Sequence, residues 1–438
     1  MTHTLRTRTL ATSLAALLAA AVASAPAAQG GVPPAAGAAR PAVPSASSAA
    51  PAPAAAVLRA ATPVVEADED FMWRVNLVIA NPGGQGLYLD SLVFEATPDD
   101  PVATRARPSS RERLDRLVRS VEAIGPGDSM SIQAVQPASA ERATLVFTLG
   151  GHDARGHVLR ATTTVRAEPG PFSRAHPSTT LEVNGRAVEV VFVPPAAPDA
   201  APDAARDAPA PAAGAGGAPG LLLVHGHGGS ARGMLAMASA LSKRGWAVML
   251  LSMPGYGASA GPPDFMGPAT LAAASAALDR LAASPGVDRA RLAAWGVSRG
   301  ATVVAELASR RDDLRAVVAQ AGIYDLWAAH RGARIAGLRE VIEAQAGRDS
   351  AGWRERSPLL RAGRVRAAVL LLHGEEDPNV PIGQARAYAA ALRAAGAAVE
   401  VRWFPGAGHA LPRAEVNRTA LDFLARHTAA SAAAPEGR

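Results

Sequence analysis

The chain has 438 residues, room for two domains, and carries a formal net charge of +6 at pH 7 with no cysteine. The lack of cysteine excludes disulfides, thiol catalysis and cysteine-based zinc sites. The positive charge comes from arginine, since Lys243 is the only lysine, and aromatic residues make up 4% of the chain. Because no arginine cluster is interleaved with aromatic residues, we expect no nucleic-acid partner.

Residues 1–25 have the pattern of a secretory signal peptide. Arg6 and Arg8 precede an apolar run at 10–23, which ends in small residues suited to cleavage. Because the run is short for a bilayer span, an uncleaved anchor is the weaker alternative. Residues 26–56 are almost entirely Ala, Pro, Ser and Gly, which favours a disordered spacer. The pattern predicts a secreted or periplasmic protein with no membrane span in the mature chain.

Residues 57–168 alternate apolar and polar side chains between turn sequences, which is typical of β-strands. Residues 111–123 fit a helix or a strand equally well. Several short strands favour a small β-sandwich, with an immunoglobulin-like sandwich as one form, that could contact a cell wall or surface. The predicted strands are 73–79, 87–94, 129–135, 144–149 and 158–165.

Residues 178–427 alternate predicted strands with predicted helices, which indicates an α/β fold with a doubly wound, mostly parallel sheet. Asn184-Gly185 between two apolar runs predicts a hairpin at its start. Residues 194–220 are rich in Pro, Ala, Gly and Asp, and we expect a disordered loop inside the domain. Residues 324–366 interrupt the alternation and are predicted to form a lid, and residues 428–438 a disordered tail.

A Gly-x-Ser-x-Gly sequence at 296–300 follows an apolar run and precedes a helical pattern. This context is typical of a sharp strand-to-helix turn, which needs small flanking residues and lifts the hydroxyl of Ser298 clear of a sheet. Asp377 and His409 follow two later predicted strands. The order Ser, Asp, His is that of the α/β-hydrolase triad, and all three are expected at the C-terminal edge of the sheet.

Five phrases make the part of the chain from about residue 181 to 427 similar to a known family: LLLVHGHGGS, MPGYGAS, GVSRGA, LLLHGEEDPNVP and FPGAGHAL. This part resembles the α/β-hydrolases, in particular the prolyl-oligopeptidase-type and dienelactone-hydrolase-type catalytic domains. The resemblance implies Ser298 as the nucleophile and His409 as the base. It implies Asp377, rather than the neighbouring Glu376, as the acid that orients His409.

Such a reaction needs two N–H donors for the oxyanion. We expect one from the backbone of Arg299, directly after the nucleophile, and the other from the preceding glycine-rich loop, at His227 or alternatively at Gly228. Tyr256 and Trp327 are candidates for the pocket wall. The histidines of the loop have no acidic neighbour in the sequence, so neither a metal nor another cofactor is expected.

These residues predict a serine hydrolase that works through an acyl-enzyme. We expect a small ester substrate, because an alkoxide leaves more readily than an amide nitrogen. Prolyl-oligopeptidase-type exopeptidases also carry a β-propeller, for which residues 57–168 are too few. The alternative is a prolyl-oligopeptidase-like peptidase acting on short peptides, and the remote alternative is a catalytically idle binding protein.

Overall fold

A computed structural model describes residues 53–99, 110–118, 121, 123–138, 141–196, 217–333 and 337–430. The predicted signal peptide, most of the spacer, the centre of the loop 194–220 and most of the predicted tail lie outside the described residues. The predicted spacer 26–56 ends earlier than expected. Ala54 is buried, and the N–H of Ala55 donates to Asn81 Oδ1 over 3.1 Å. Residues 53–56 therefore pack as part of the β-structure that follows.

The first part of the described chain forms two sheets, in the orders β1-β3-β6 and β2-β8-β7-β4-β5. The inward side chains of both sheets share one core, which includes Trp73, Leu77 and Phe147. The segment 111–123, open between helix and strand, contains the end of β5 and a 3₁₀ helix at Asp115–Leu117. The strands are β1 (Val57–Ala60), β2 (Val64–Glu66), β3 (Met72–Ala80), β4 (Leu87–Pro98), β5 (Ser110–Arg113), β6 (Ser129–Pro137), β7 (Ala143–Asp153) and β8 (Val158–Glu168).

The second part contains an eight-stranded sheet in the order β16-β15-β14-β13-β11-β12-β10-β9. Its strands are β9 (Thr179–Val183), β10 (Arg186–Val193), β11 (Ala218–Val224), β12 (Ala247–Leu251), β13 (Val287–Val297), β14 (Leu314–Gln320), β15 (Ala368–Gly374) and β16 (Val399–Phe404). The strands from β11 to β16 pair in parallel, while β10 pairs antiparallel with β9 and β12. The β9–β10 hairpin turns at Asn184 and Gly185, whose φ angles of 51° and 73° suit a type I′ turn.

Helices cover both faces of this sheet: α3, α4 and α8 pack into one core and α2 and α9 into the other. The helices are α1 (Pro171–Ala175), α2 (Leu235–Ser242), α3 (Pro268–Ala282), α4 (Arg299–Ala308), α5 (Leu326–Arg331), α6 (Leu338–Ala346), α7 (Ser350–Glu355), α8 (Gly383–Ala394) and α9 (Arg413–His427). In the described part of the chain, none has the length and apolar character needed to cross a membrane.

Two further predicted boundaries change because sheet and helix contacts order the chain. β11 begins at Ala218, inside the predicted loop 194–220, since Ala218 already pairs with Val287 of β13. Thr428, the first residue of the predicted tail, is buried, and its carbonyl oxygen accepts a hydrogen bond from Arg291 Nε at 2.6 Å. These contacts are between distant parts of the chain, so local composition does not reveal them.

The predicted lid 324–366 is an insertion between β14 and β15 that holds α5, α6, α7 and a 3₁₀ helix at Pro358–Arg364. It is anchored to the rest of the fold. The N–H groups of Tyr324 and Asp325 both donate to Gln384 Oε1 at 2.8 Å. Ile342 of α6 is fully buried in the core on that face of the sheet. The insertion is thus packed on the sheet, and its action as a lid stays a prediction.

Glu306 of α4 should make stability depend on pH. Its side chain is fully buried between Arg361 and Arg310, and burial, only partly offset by these arginines, raises its pKa from 4.5 to about 7. Because the folded state then holds the proton more tightly than the unfolded chain, stability falls as pH rises through this window. We expect the advantage of the wild type over Glu306→Gln, measured by urea unfolding, to fall by on the order of 2 kcal/mol between pH 5 and pH 8.

Glu340 is exposed on α6 and provides the matched control. The same measurement on Glu340→Gln should show little dependence on pH, because this side chain faces solvent in the folded protein as it does in the unfolded chain. A flat or rising difference for Glu306→Gln would contradict this account of its burial.

Candidate active site

Ser298 occupies the turn between β13 and α4 with φ 54° and ψ −115°. A residue with a side chain holds a positive φ only where its surroundings enforce it. Here the backbone enforces it. A Cβ on Gly296 would collide with the carbonyl oxygen of Gly300, and a Cβ on Gly300 with that of Val224 at the end of β11. The two motif glycines are therefore required by close packing of β11, β13 and α4.

Ser298, His409 and Asp377 meet in one chain of hydrogen bonds. His409 Nε2 lies 3.0 Å from Ser298 Oγ, and His409 Nδ1 lies 2.7 Å from Asp377 Oδ2. The three residues follow β13, β16 and β15, at the C-terminal edge of the parallel strands. Glu376, the neighbouring carboxylate, is exposed, and its backbone N–H donates to the Ala407 carbonyl. The acid in contact with His409 is Asp377.

The surroundings of Asp377 keep it ionised. Burial raises its pKa, but hydrogen bonds from His409 and from the backbone N–H groups of Val380 and Asn379 outweigh it, so the pKa lies below the usual value. Next to it, His373 Nε2 lies 2.8 Å from the Val380 carbonyl oxygen, to which it donates, and burial lowers the pKa of this imidazole. His373 thus holds the acid loop in place. In the sequence, His373 is the first residue of the phrase HGEEDPNVP, but the spacing of that phrase does not by itself indicate a role for it.

The glycine-rich loop after β11 passes directly beside Ser298. A Cβ on Gly226 would meet Ser298 Cβ at 3.3 Å, so the backbone that continues into His227 and Gly228 borders the serine turn. His225 anchors this loop: Nδ1 donates to the Gly226 carbonyl at 2.6 Å, and Nε2 accepts a backbone N–H at 3.0 Å. Both ring nitrogens are used within the protein. No group of three metal-ligating side chains occurs among the residues that the structure describes.

Tyr256 and Arg299, which are buried, form a wall beside the serine turn together with the exposed His227. Tyr256 Oη lies 2.9 Å from His227 Nδ1 and accepts a hydrogen bond from Arg299 Nη1 at 2.7 Å. Burial raises the pKa of Tyr256, and burial together with the charge of Arg299 lowers the pKa of His227. Trp327, the other pocket candidate, packs edge-to-face on Trp353 inside the insertion. Of the two pocket candidates, Tyr256 is the one joined to the residues around Ser298.

A buried carboxylate on β10, Glu189, fixes the turn that carries Tyr256. Glu189 Oε2 accepts hydrogen bonds from Ser252 Oγ at 2.6 Å and from the Ala258 N–H at 2.9 Å. Its other oxygen accepts from Ser178 Oγ at 2.5 Å. Both oxygens are therefore satisfied inside the protein. No sequence signal marks Glu189, because a glutamate in an alternating strand normally faces solvent.

Two family models match the chain. Residues 127–345, half of the chain, match the X-Pro dipeptidyl-peptidase (S15 family) model, and residues 265–431 match the prolyl oligopeptidase family model. Together with the fold, they define a serine hydrolase of the α/β-hydrolase class. The chain belongs to the X-Pro dipeptidyl-peptidase (S15) family, and its residues 265–431 are also similar to the prolyl oligopeptidase (S9) family. These matches support the peptidase alternative better than the ester preference expected from the sequence.

Individual relatives and solved structures are also similar to parts of the chain. Over 132 residues the chain is 31% identical to the uncharacterized peptidase YuxL of Bacillus subtilis (strain 168), which covers 30% of this chain and 20% of that protein. A puromycin-hydrolyzing peptidase of Mycobacterium tuberculosis superposes with a TM-score of 0.51 at 21% identity, over 81% of this chain and 52% of that one. A puromycin hydrolase superposes with a TM-score of 0.51 at 22% identity, over 80% of this chain and 52% of that one. The chain spans about half the length of these structures, and the likeness establishes the fold.

Alanine at either motif glycine should be strongly destabilising. We expect Gly296→Ala and Gly300→Ala each to cost more than about 2 kcal/mol, because each methyl group overlaps a carbonyl oxygen of packed backbone. Gly383 in α8 is the matched control, since a Cβ there meets nothing within 4 Å. Gly383→Ala should be neutral or stabilise by up to about 1 kcal/mol in urea unfolding. Equal effects at the three positions would contradict the packing argument.

Proposed function

We propose that the chain is a serine peptidase in which Ser298 is the nucleophile. The observation that carries the proposal is the hydrogen-bond chain from Ser298 through His409 to Asp377 at a strained turn. Ser298 Oγ attacks the substrate carbonyl carbon while its proton passes to His409 Nε2. Asp377, held ionised, accepts the hydrogen bond from Nδ1 and stabilises the imidazolium. This role rests on geometry and on the family, and it is what the experiments below test.

The attack places negative charge on the former carbonyl oxygen. We propose that the backbone N–H groups of Arg299 and His227 donate to it, with Gly228 as the alternative to His227. His409 then gives its proton to the leaving nitrogen, the C–N bond breaks, and the acyl group stays on Ser298. A water molecule, activated by His409, attacks the acyl-enzyme and releases the acid, which restores the serine.

A peptide bond is the substrate we propose, because both family models are those of peptidases. An amide nitrogen leaves only when it is protonated, so a peptidase depends on its general acid more than an esterase does. The contact of His409 with both Ser298 and an ionised Asp377 suits that task. A small ester remains the second candidate, since the same acyl-enzyme chemistry cleaves esters more easily.

Two further proposals concern the rest of the chain. We infer that residues 57–168 form an immunoglobulin-like domain, supported by the strand order: β1-β3-β6 corresponds to A-B-E, and β8-β7-β4-β5 to G-F-C-C′. We also propose that the chain is exported through the signal sequence at 1–25, and that the β-domain is its contact with a cell wall or other surface. The composition of the N-terminal segment supports export. The position of the β-domain ahead of the catalytic part supports its contact with a surface.

Covalent labelling should identify the nucleophile. A neutral fluorophosphonate probe is expected to label the wild type, while Ser298→Ala stays unlabelled and His409→Ala loses nearly all labelling, because the two groups act as a unit. Asp377→Asn should retain more reactivity than His409→Ala. Glu376→Gln is the matched control for the acid and should label like the wild type. Equal labelling of Ser298→Ala and the wild type would contradict the assignment of Ser298 as the nucleophile and would favour a catalytically idle binding protein.

The substrate class follows from rate enhancements rather than raw rates, because p-nitrophenyl esters hydrolyse readily without enzyme. We expect kcat/KM divided by the uncatalysed rate constant to be higher for aminoacyl-p-nitroanilides than for p-nitrophenyl esters. Ser298→Ala serves as the blank for both series. A larger enhancement for the esters would restore the ester hydrolase as the better description.

A further inference from the structure

The side chain of Arg299, directly after Ser298, is a buried cation whose observed partners are all neutral. It is 8% exposed. Its Nη1 donates to Tyr256 Oη at 2.7 Å and to Gln345 Oε1 at 3.0 Å, and its guanidinium lies 4.4 Å from the centre of the Phe265 ring. Among the residues that the structure describes, no carboxylate forms an ion pair with it. A buried charge costs several kcal/mol unless an opposite charge or hydrogen bonds compensate it, so this arrangement needs an explanation.

The groups around Arg299 are arranged to donate hydrogen bonds. Because a guanidinium can only donate, Tyr256 Oη accepts from it, and His227 Nδ1 lies 2.9 Å from the same oxygen. Burial and the charge of Arg299 lower the pKa of His227, which favours the neutral imidazole, and a neutral imidazole still carries one N–H donor. Gln345 uses its carbonyl oxygen on Arg299, so its amide hydrogens are directed elsewhere. A group of hydrogen-bond donors with no carboxylate partner is typical of an anion-binding site.

The wall that holds Arg299 is rigid. Phe265, on which the guanidinium stacks, is fully buried, and it and Met266 have φ angles of 47° and 58°. Arg356 Nε donates to the Asp264 carbonyl at 3.0 Å and holds this strained turn. Both carboxylate oxygens of Asp264, the residue before Phe265, accept hydrogen bonds from Thr270. Strain of this kind persists where the surroundings over-determine it, commonly at ligand sites.

We propose that Arg299 binds a carboxylate of the substrate close to the scissile bond, which makes the enzyme selective for peptides that carry a carboxylate there. The carboxylate completes the ion pair that the fold leaves open, and Arg is suited to it because its planar fork matches two carboxylate oxygens. Two sources carry this group: a Glu or Asp side chain on the acyl side, or a free C-terminal carboxylate on the leaving side. The proposal rests on the function proposed for Ser298, because Arg299 follows Ser298 in the chain and its wall borders the serine turn.

Isosteric substrate pairs test both sources. The acyl-side arm compares glutamyl- with glutaminyl-p-nitroanilide, and the leaving-side arm compares an N-blocked dipeptide with its C-terminal amide. We expect the wild type to prefer the charged member by roughly tenfold to a hundredfold in kcat/KM in one arm, as for other charged hydrogen bonds. In Arg299→Met the ratio should fall to near one, and Arg299→Lys, which keeps the charge but not the fork, should be intermediate.

Arg348→Met is the control for general surface charge. Arg348 lies just after α6 and its side chain is 81% exposed, so its loss should leave the ratio unchanged. If Arg348→Met lowers the ratio as much as Arg299→Met does, the selectivity comes from the overall field and the subsite is refuted. A wild type that prefers the neutral member in both arms also refutes it.

A binding measurement separates this inference from the proposed function. Glutarate should bind Ser298→Ala in calorimetry and should not bind Ser298→Ala/Arg299→Met. If the fluorophosphonate probe fails to label the wild type but glutarate binding follows this pattern, the peptidase proposal is wrong and the carboxylate site stands. If the wild type is labelled and both variants bind glutarate equally or not at all, the carboxylate site is wrong and the peptidase proposal stands.

Discussion

The positive φ of Ser298 is the constraint on which the rest of the site depends. It exists because β13 turns into α4 within one residue, and that turn is possible only if Gly296, Gly300 and the end of β11 pack backbone against backbone. Packing of the sheet core therefore holds the serine hydroxyl in place at the edge of the sheet. The same contacts bring the glycine-rich loop after β11 to the turn. One steric arrangement thus sets both the serine and the backbone that borders it.

Electrostatics then separates the charged groups around this turn. Asp377 is buried, but it receives enough hydrogen bonds to stay ionised, and it lies against His409. Glu189 is buried with both oxygens satisfied and has a structural role. Arg299 is the buried cation among these groups, and its hydrogen-bond partners among the described residues are all neutral. A buried ion with full compensation stabilises a loop, whereas one without it is suited to bind an ion of opposite sign.

The catalytic residues by themselves do not determine whether the substrate is a peptide or an ester. Both bonds are cleaved through the same acyl-enzyme, so the elbow and the order of Ser298, Asp377 and His409 do not distinguish them. The ester expectation rested on the easier departure of an alkoxide and on the small size of the region that precedes the catalytic domain. The family models, which extend over the catalytic part itself, favour the peptidases. Selectivity depends on the side chains that line the site more than on the groups that form the acyl-enzyme.

Sequence by itself determined the features that depend on neighbouring residues. Alternation predicted the long strands, Asn184-Gly185 the hairpin, and the motif at 296–300 the strand-to-helix turn, because each reflects the local backbone and its nearest side chains. The tertiary structure alone decided where β11 begins, that Glu189 is buried, and that the side chain of Arg299 is buried. These depend on contacts between residues far apart in the chain, and no local pattern records which surfaces meet once the sheet has formed.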